Sequence, residues 1–375
     1  MNWDANVRDG DFLCCCEFVD LKGERNHLLA CCCNCHEVDA CCERFVTCRK
    51  IPRTLLRKIF LAAVDRMRIP WRGGAIQISL DAVAPIFLLP MFVILAAHGP
   101  WMSVVVFSFL PLFLLYAHFL FIKLKPQNHF FISWTITSTA FLFLSLHSMS
   151  GFLEIRNDEY YAFVVITFAV FLSLYRVKQR EGLCFVKEDQ FMDGGEKCTE
   201  CNILLPPRAY HCLSCDACII KRDQHCAWLN CCIGQYNHFW YMMFLIAILS
   251  QLVLCSNLIL TTACHPFRVV GSIMLPDDCS DVYFDIVYAT CFVISIYCLE
   301  AAVFVASVLV LECWLITLGI TGHEFRNRSK RAYCCGLIMS RPYNKGFIQN
   351  WILFWKGKRA VRTSCNSNEF DFWQN

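Results

Sequence analysis

The sequence predicts an all-α polytopic membrane protein: about six transmembrane helices, with a cysteine-rich domain in the cytosol between the fourth and fifth. Three observations predict it. Of 375 residues, 57% are apolar and only 17% charged, and mean hydropathy is +0.44. Soluble domains average about 25% charged residues. Six long apolar stretches recur along the chain, and basic residues gather in alternate connections between them. These features exclude a disordered chain and an ordinary soluble enzyme. A net charge of +3 is too small for nucleic-acid binding.

The stretches run Ala82 to Ala97, Met102 to Ile122, Phe130 to Leu153, Tyr160 to Tyr175, Phe239 to Cys264 and about Tyr288 to Leu311. A helix needs roughly 20 apolar residues to cross a ~30 Å hydrocarbon core. The first and fourth are short, and borrow flanking residues or thin the bilayer. The opening MNWDANVRDG has no apolar core, so no cleaved leader is expected. Arg53 to Arg68 reads as an amphipathic helix with Leu56, Ile59, Phe60, Ala63 and Met67 on one face. Such a basic helix lies in the membrane interface or packs on a small cytosolic domain.

Lys and Arg resist translocation and collect on the cytoplasmic side. Arg49 to Arg72 precede the first stretch, Lys123 and Lys125 follow the second, Arg176, Lys178 and Arg180 follow the fourth, and Arg326 to Arg331 follow the sixth. The other connections lack this excess. The alternation places both termini and the insert at 176–238 in the cytosol.

That insert carries the chemistry. It contains Cys198-x2-Cys201, then Pro206-Pro207-Arg208-Ala209-Tyr210-His211-Cys212, then Cys215-x2-Cys218, and ends Asp223-Gln224-His225-Cys226-Ala227-Trp228-Leu229-Asn230-Cys231-Cys232. Eight cysteines and two histidines lie within 35 residues. Cytosolic thiols stay reduced, and zinc takes thiolate and imidazole tetrahedrally, with C-x2-C presenting two sulfurs to one ion. Repetition of that step with interspersed histidines predicts metal binding.

The segment resembles the cysteine-rich domain of DHHC-type protein S-acyltransferases, the palmitoyltransferases. The order C-x2-C, P-x-R-A-x-H-C, C-x2-C, D-x-H-C-x-W-x-N-x-C-x-G matches and continues through Asn237 to Trp240 and Tyr241. Thr321-Gly322-His323-Glu324 resembles the family's TTxE motif, with Gly for the second Thr, and Tyr343 to Asn350 resembles its C-terminal motif. LCCCEFVD near the start and RIPWRGGA before the first stretch are similar to the vertebrate subfamily of member twenty-three. The resemblance implies two structural zinc ions, one held by Cys198, Cys201, His211 and Cys218, the other by Cys212, Cys215, His225 and Cys232. It implies that Cys226 attacks acyl-CoA, carries the acyl group as a thioester and passes it to cysteines of membrane or peripheral protein substrates at the bilayer. It places the chain in the endoplasmic reticulum or Golgi. Cys231 stands where the family often has Asn and reads as a bystander thiol.

One departure matters. The signature is Asp-His-His-Cys, and this chain has Gln224 where the family's general base stands, oriented by Asp223. A glutamine amide takes up no proton near neutral pH, and general-base help is typically worth 10²–10⁴-fold. Cysteine is intrinsically nucleophilic and partly ionised near pH 7, so slower transfer through Cys226 is expected. The alternative is a catalytically weak, zinc-stabilised membrane scaffold that binds client proteins.

The resulting plan is a cysteine-rich N-terminal segment at 1–48, a basic amphipathic segment at 49–81, four helices at 82–175, the zinc domain at 176–238, two helices at 239–318 and a cytosolic C-terminal region at 319–375. The N-terminal cluster, Cys14 to Cys16, Cys31 to Cys33, Cys35, Cys41, Cys42 and Cys48, is a metal site, packing, or a target of S-acylation. Glu300 sits inside the sixth stretch, where a hydrogen bond near Gln251 or Asn257 is the expected accommodation. Cys264 and Cys279 flank a loop on the oxidising side and are candidates for a disulfide.

Overall fold

The computed structural model describes residues 17–19, 25–27, 35–52, 54–56, 58–59, 68–71, 74–77, 80–124, 128–151, 155–186, 197–270, 273–327, 333–334, 337–338 and 343–357. The chain divides into two units, 1–84 and 85–375. The first holds the hairpin β1 (Glu17–Val19) with β2 (Arg25–His27), helix α1 (Cys35–Val46), and the hairpin β3 (Arg68–Trp71) with β4 (Gly74–Gln77). Cys14 to Cys16 and Cys31 to Cys33 lie outside the described residues, as does most of Arg53 to Arg68.

The second unit is mostly helical. Among the described residues, five helices are long and apolar enough to cross a membrane. They are α3 (Pro100–Leu124), α4 (Phe130–Met149), α5 (Asn157–Gln179), α6 (His238–Ala263) and α7 (Ile286–Leu318), and they follow α2 (Leu80–Ala96), which begins in the first unit. The 17 residues of α2, with Pro85 and Pro90 inside it, extend about 25 Å at 1.5 Å per residue. That falls short of a ~30 Å core.

The fourth stretch, short in the apolar count, is a 23-residue helix, because α5 continues into polar ends. Asp158 and Glu159 stand in its first turn and Arg176 and Lys178 in its last, where they complement the helix dipole. The sixth also exceeds expectation. Asp285 caps α7 by accepting from the Val287 N–H, and the helix runs 33 residues to a left-handed Gly319. At about 50 Å, α7 carries its last turns well beyond a hydrocarbon core, to the cysteine-rich insert.

α6 packs along both α5 and α7, and α4 touches α5 and α6. Trp134 of α4 donates to the Tyr297 hydroxyl of α7 at 3.1 Å, and Tyr297 also pairs with Ser138 at 2.7 Å. Glu300 lies in α7 with one of its carboxylate oxygens, the buried Oε2, unpartnered among the described residues. Gln251 donates to Thr167 at 3.0 Å. Cys264 and Cys279 form a disulfide between α6 and the ends of the hairpin β9 (His265–Val270) with β10 (Ile273–Asp278).

The purely helical expectation needs one correction. The insert is built on two antiparallel hairpins, β5 (Tyr210–Cys212) with β6 (Ala217–Ile219), and β7 (Gln224–Cys226) with β8 (Cys231–Ile233). Beyond α7 lie α8 (Gly322–Arg326), the pair β11 (Tyr333–Cys334) and β12 (Leu337–Ile338), and α9 (Phe347–Gly357), which packs on α7.

Candidate active site

The hairpin registers bring cysteines and histidines together. β5 and β6 pair His211 with Cys218, and β7 and β8 pair His225 with Cys232. Directly opposed residues share a face of a hairpin, so each histidine meets a thiol. C-x2-C turns complete each set. The residue after the second cysteine takes a left-handed φ, 58° at Asn202 and 50° at Asp216, and Asn and Asp tolerate that region best among residues with a Cβ. The Cys201 N–H then points at the Cys198 sulfur at 3.4 Å.

Two groups of four result, Cys198, Cys201, His211 and Cys218, and Cys212, Cys215, His225 and Cys232, each with its ligand atoms within 4.8 Å of one another. In the second, Cys215 Sγ lies 3.4 Å from Cys232 Sγ and 3.3 Å from His225 Nδ1, and Cys232 Sγ lies 3.6 Å from that nitrogen. In the first, His211 Nδ1 lies 3.3 Å from Cys201 Sγ and 3.7 Å from Cys218 Sγ. A tetrahedral zinc with bonds near 2.3 Å to sulfur and 2.0–2.1 Å to nitrogen separates its ligands by roughly 3.5–3.8 Å. The two clusters fit a metal ion of this kind.

Cys226 follows His225 on β7 and belongs to neither cluster. It is buried, and burial pushes its thiol up to about 11, against backbone N–H groups of Leu229 and Trp228 and the Tyr241 hydroxyl, which pull it down. Beside it the Trp228 ring packs on Phe131 of α4 at 4.8 Å and Phe304 of α7 at 5.4 Å. This anchors the Cys226 loop in the helical bundle. A cavity of ≈ 200 Å³ opens next to the residues flanking Cys226, lined by His225, Ala227, Asn230, Phe131 and His118 among others.

The amide nitrogen of Gln224 is engaged twice. Its Nε2 donates to Glu312 Oε1 at 2.8 Å and to the Tyr241 hydroxyl at 3.3 Å. The other oxygen of Glu312, at the far end of α7, lies 3.2 Å from His238 Nε2 at the start of α6. Asp223, His238 and Glu312 form a third group with ligand atoms within 4.8 Å of one another. Glu312 and His238 were not singled out from the sequence. The apolar count closes the sixth stretch at Leu311, one residue before Glu312. The available signal was a lone carboxylate between apolar neighbours, the same signal that drew attention to Glu300.

Three separate motifs converge on Arg208. Its guanidinium makes a two-point pair with Glu324 at 2.6 and 2.7 Å, donates to the Gly319 carbonyl at 3.3 Å and lies 4.5 Å over the Tyr343 ring. Thr321 and Glu324 form a reciprocal capping box at the start of α8. Next to it the Gly322 N–H donates to Asp223 Oδ1 at 2.6 Å. Asn350 accepts from the Lys345 N–H at 3.0 Å and donates to the Thr317 carbonyl at 2.9 Å, which fastens α9 to the end of α7.

Five membrane-capable helices and a paired Cys/His domain, with the buried thiols of Cys184, Cys226 and Cys231 left outside both clusters, define a multi-pass membrane protein with a cysteine-rich domain built for metal. Residues 192–329 match the family model described as DHHC palmitoyltransferase. Palmitoyltransferase ZDHHC23 of Mus musculus is 27% identical over 396 aligned residues, covering 91% of this chain and 92% of that protein. The Homo sapiens protein of the same name is 26% identical, covering 87% and 93%. Palmitoyltransferase ZDHHC23-B of Danio rerio is 26% identical, covering 92% of each. The DHHC match over 192–329 and the similarity along most of the chain make it resemble the ZDHHC23 palmitoyltransferases. These matches support a protein S-acyltransferase function.

Proposed function

We propose that the chain moves a palmitoyl-type acyl group from acyl-CoA, through a thioester on Cys226, to cysteines of membrane or peripheral proteins. The observation that carries this reading is the position of Cys226. It is buried, adjacent to His225 and outside both four-residue clusters. In the first half-reaction its sulfur bonds to the acyl carbonyl carbon and the bond to the CoA sulfur breaks. In the second, a substrate cysteine takes the acyl group and Cys226 regains its thiol. Both steps exchange one thioester for another and need no energy source.

Cys198, Cys201, His211 and Cys218 would hold one zinc ion, and Cys212, Cys215, His225 and Cys232 the other. Bound there, the ions supply cross-links in a domain too small for an apolar core of its own. The protein's own residues do the rest. Trp228 holds the Cys226 loop against α4 and α7, and the Tyr241 hydroxyl acts on the Cys226 thiol. Asp223 is fixed through Gly322. Gln224 orients polar neighbours but accepts no proton.

In this reading α2 is a sixth span, accommodated by local thinning of the bilayer. The termini and insert face the cytosol, in the endoplasmic reticulum or Golgi.

The test is thioester labelling of full-length protein by a fatty acyl-CoA, beside an active family member. Hydroxylamine-labile label on wild type, lost in Cys226→Ser and increased about 10²-fold in rate in Gln224→His, is expected. Unlabelled wild type beside a labelled control overturns the reading in favour of the scaffold.

A further inference from the structure

Besides Cys226, the hairpin β7–β8 carries a thiol that joins neither metal cluster. Cys231 opens β8, and the register sets it directly opposite Cys226, one step from the pair His225 and Cys232. Side chains alternate across a strand. His225 and Cys232 therefore turn to the cluster they complete, and Cys226 and Cys231 stand side by side on the opposite face. Opposed residues of an antiparallel pair hold their Cβ atoms about 4.5–5.5 Å apart. Both thiols are free of disulfides, and Cys231 is wholly buried where Cys226 retains a small exposure.

We propose that Cys231 is a second acyl acceptor, loaded from Cys226 by thioester exchange across the β7–β8 hairpin. This rests on the S-acyltransferase reading. The Cys231 sulfur bonds to the carbonyl carbon held on Cys226, the carbon–sulfur bond to Cys226 breaks, and the proton that leaves Cys231 ends on Cys226. One thioester and one thiol are present before and after, so the exchange needs no oxidant or cofactor and consumes no net proton. The two states differ only in surroundings. An acyl group on the buried sulfur is screened from water, so Cys231 holds a hydrolysis-resistant reserve that returns to Cys226 for delivery. A glutamine at position 224 makes this useful. Loading from CoA is slow without a base, and a reserve limits the loss of what has been loaded.

The experiment uses full-length, zinc-loaded protein in detergent with palmitoyl-CoA and locates the hydroxylamine-labile acyl group by fragment-ion mass spectrometry. Wild type is expected to carry acyl on Cys226 and on Cys231. Cys226→Ser is expected to carry none on Cys231. In Cys231→Ser the label remains on Cys226, and after removal of acyl-CoA its half-life falls at least twofold. Acyl on Cys226 alone in wild type overturns the exchange and leaves the S-acyltransferase reading standing. Acyl on Cys231 in Cys226→Ser also overturns it, since loading would then be direct. Acyl on neither residue overturns both. Acyl on Cys226 alone in the wild-type map overturns the exchange even where a variant fails to fold.

Discussion

Gly322 and Gln224 are departures from the family pattern that meet at one residue, Asp223. A Cβ at Gly322 would stand 3.2 Å from the Asp223 carbonyl oxygen and 3.3 Å from its Oδ2. The threonine of the family motif does not fit here without a shift. Its absence lets the Gly322 N–H reach Asp223 Oδ1, while Oδ2 stays buried without a hydrogen-bond partner among the described residues. Gln224 turns to Glu312 instead. An oxygen of Asp223 is therefore in place to orient a histidine restored at position 224, which is why Gln224→His is expected to accelerate labelling. Nearby, Lys221 provides a test of burial. Burial is the largest cause that pushes its ammonium down to about 8, helped by Arg208 and opposed by Glu324 and Asp223. The unfolded chain keeps that proton to about 10.4. Between those values the unfolded state binds more protons, so stability rises with pH; below about 8 the penalty is constant. Lys221→Met is expected to melt higher than wild type at pH 7.5, with the gap closing as pH rises towards 10. A gap unchanged between pH 7.5 and 9.5 would exclude burial of the charge as its cause.

At the scale of elements, what could be read in the sequence depended on distance along the chain. The ligands of both clusters fall within 35 residues, because C-x2-C turns and short hairpins are local structures with local signatures. The contacts that complete the site are not local. Gln224 meets Glu312 across 88 residues and Arg208 meets Glu324 across 116. No spacing encodes such pairs; they depend on how far α7 continues past the bilayer. Its end is set by Gly319, whose φ of 70° closes the helix. A Cβ there would lie 3.1 Å from both Asn344 Cα and Asn350 Nδ2. Two penalties combine, since a left-handed residue with a Cβ costs roughly 1–2 kcal/mol and the contact disturbs the junction of α9. Gly319→Ala should lower the melting temperature, and Gly151→Ala, with nothing within 4 Å of its added carbon, serves as the matched control. Equal melting of the two variants would show that the α7 end is not held by this turn.

Across the whole molecule, α6 separates two kinds of cysteine chemistry. It spans about 39 Å from His238, beside the insert, to Ala263, beside the disulfide of Cys264 with Cys279. At one end the thiols of the insert are all unpaired; at the other, two cysteines are bonded. A membrane-length helix between reduced and oxidised cysteines is what a chain across two redox compartments requires, and it agrees with the basic residues gathered at the insert's end of α5. The insert's own order then depends on metal. β5 gives His211 to one cluster and its neighbour Cys212 to the other, so neither cluster can loosen without pulling on its partner. Metal-site binding energy is largely folding energy in domains of this kind. Chelation of the detergent-solubilised protein is therefore expected to release two zinc ions per chain and open 197–238 to protease while the membrane helices stay protected. Cys201→Ser should reduce labelling of Cys226, although Cys201 belongs to the cluster that does not contain His225. Full protease resistance of the insert after metal loss, or unchanged labelling in Cys201→Ser, would show that the two clusters act independently and that the hairpins hold the nucleophile without them.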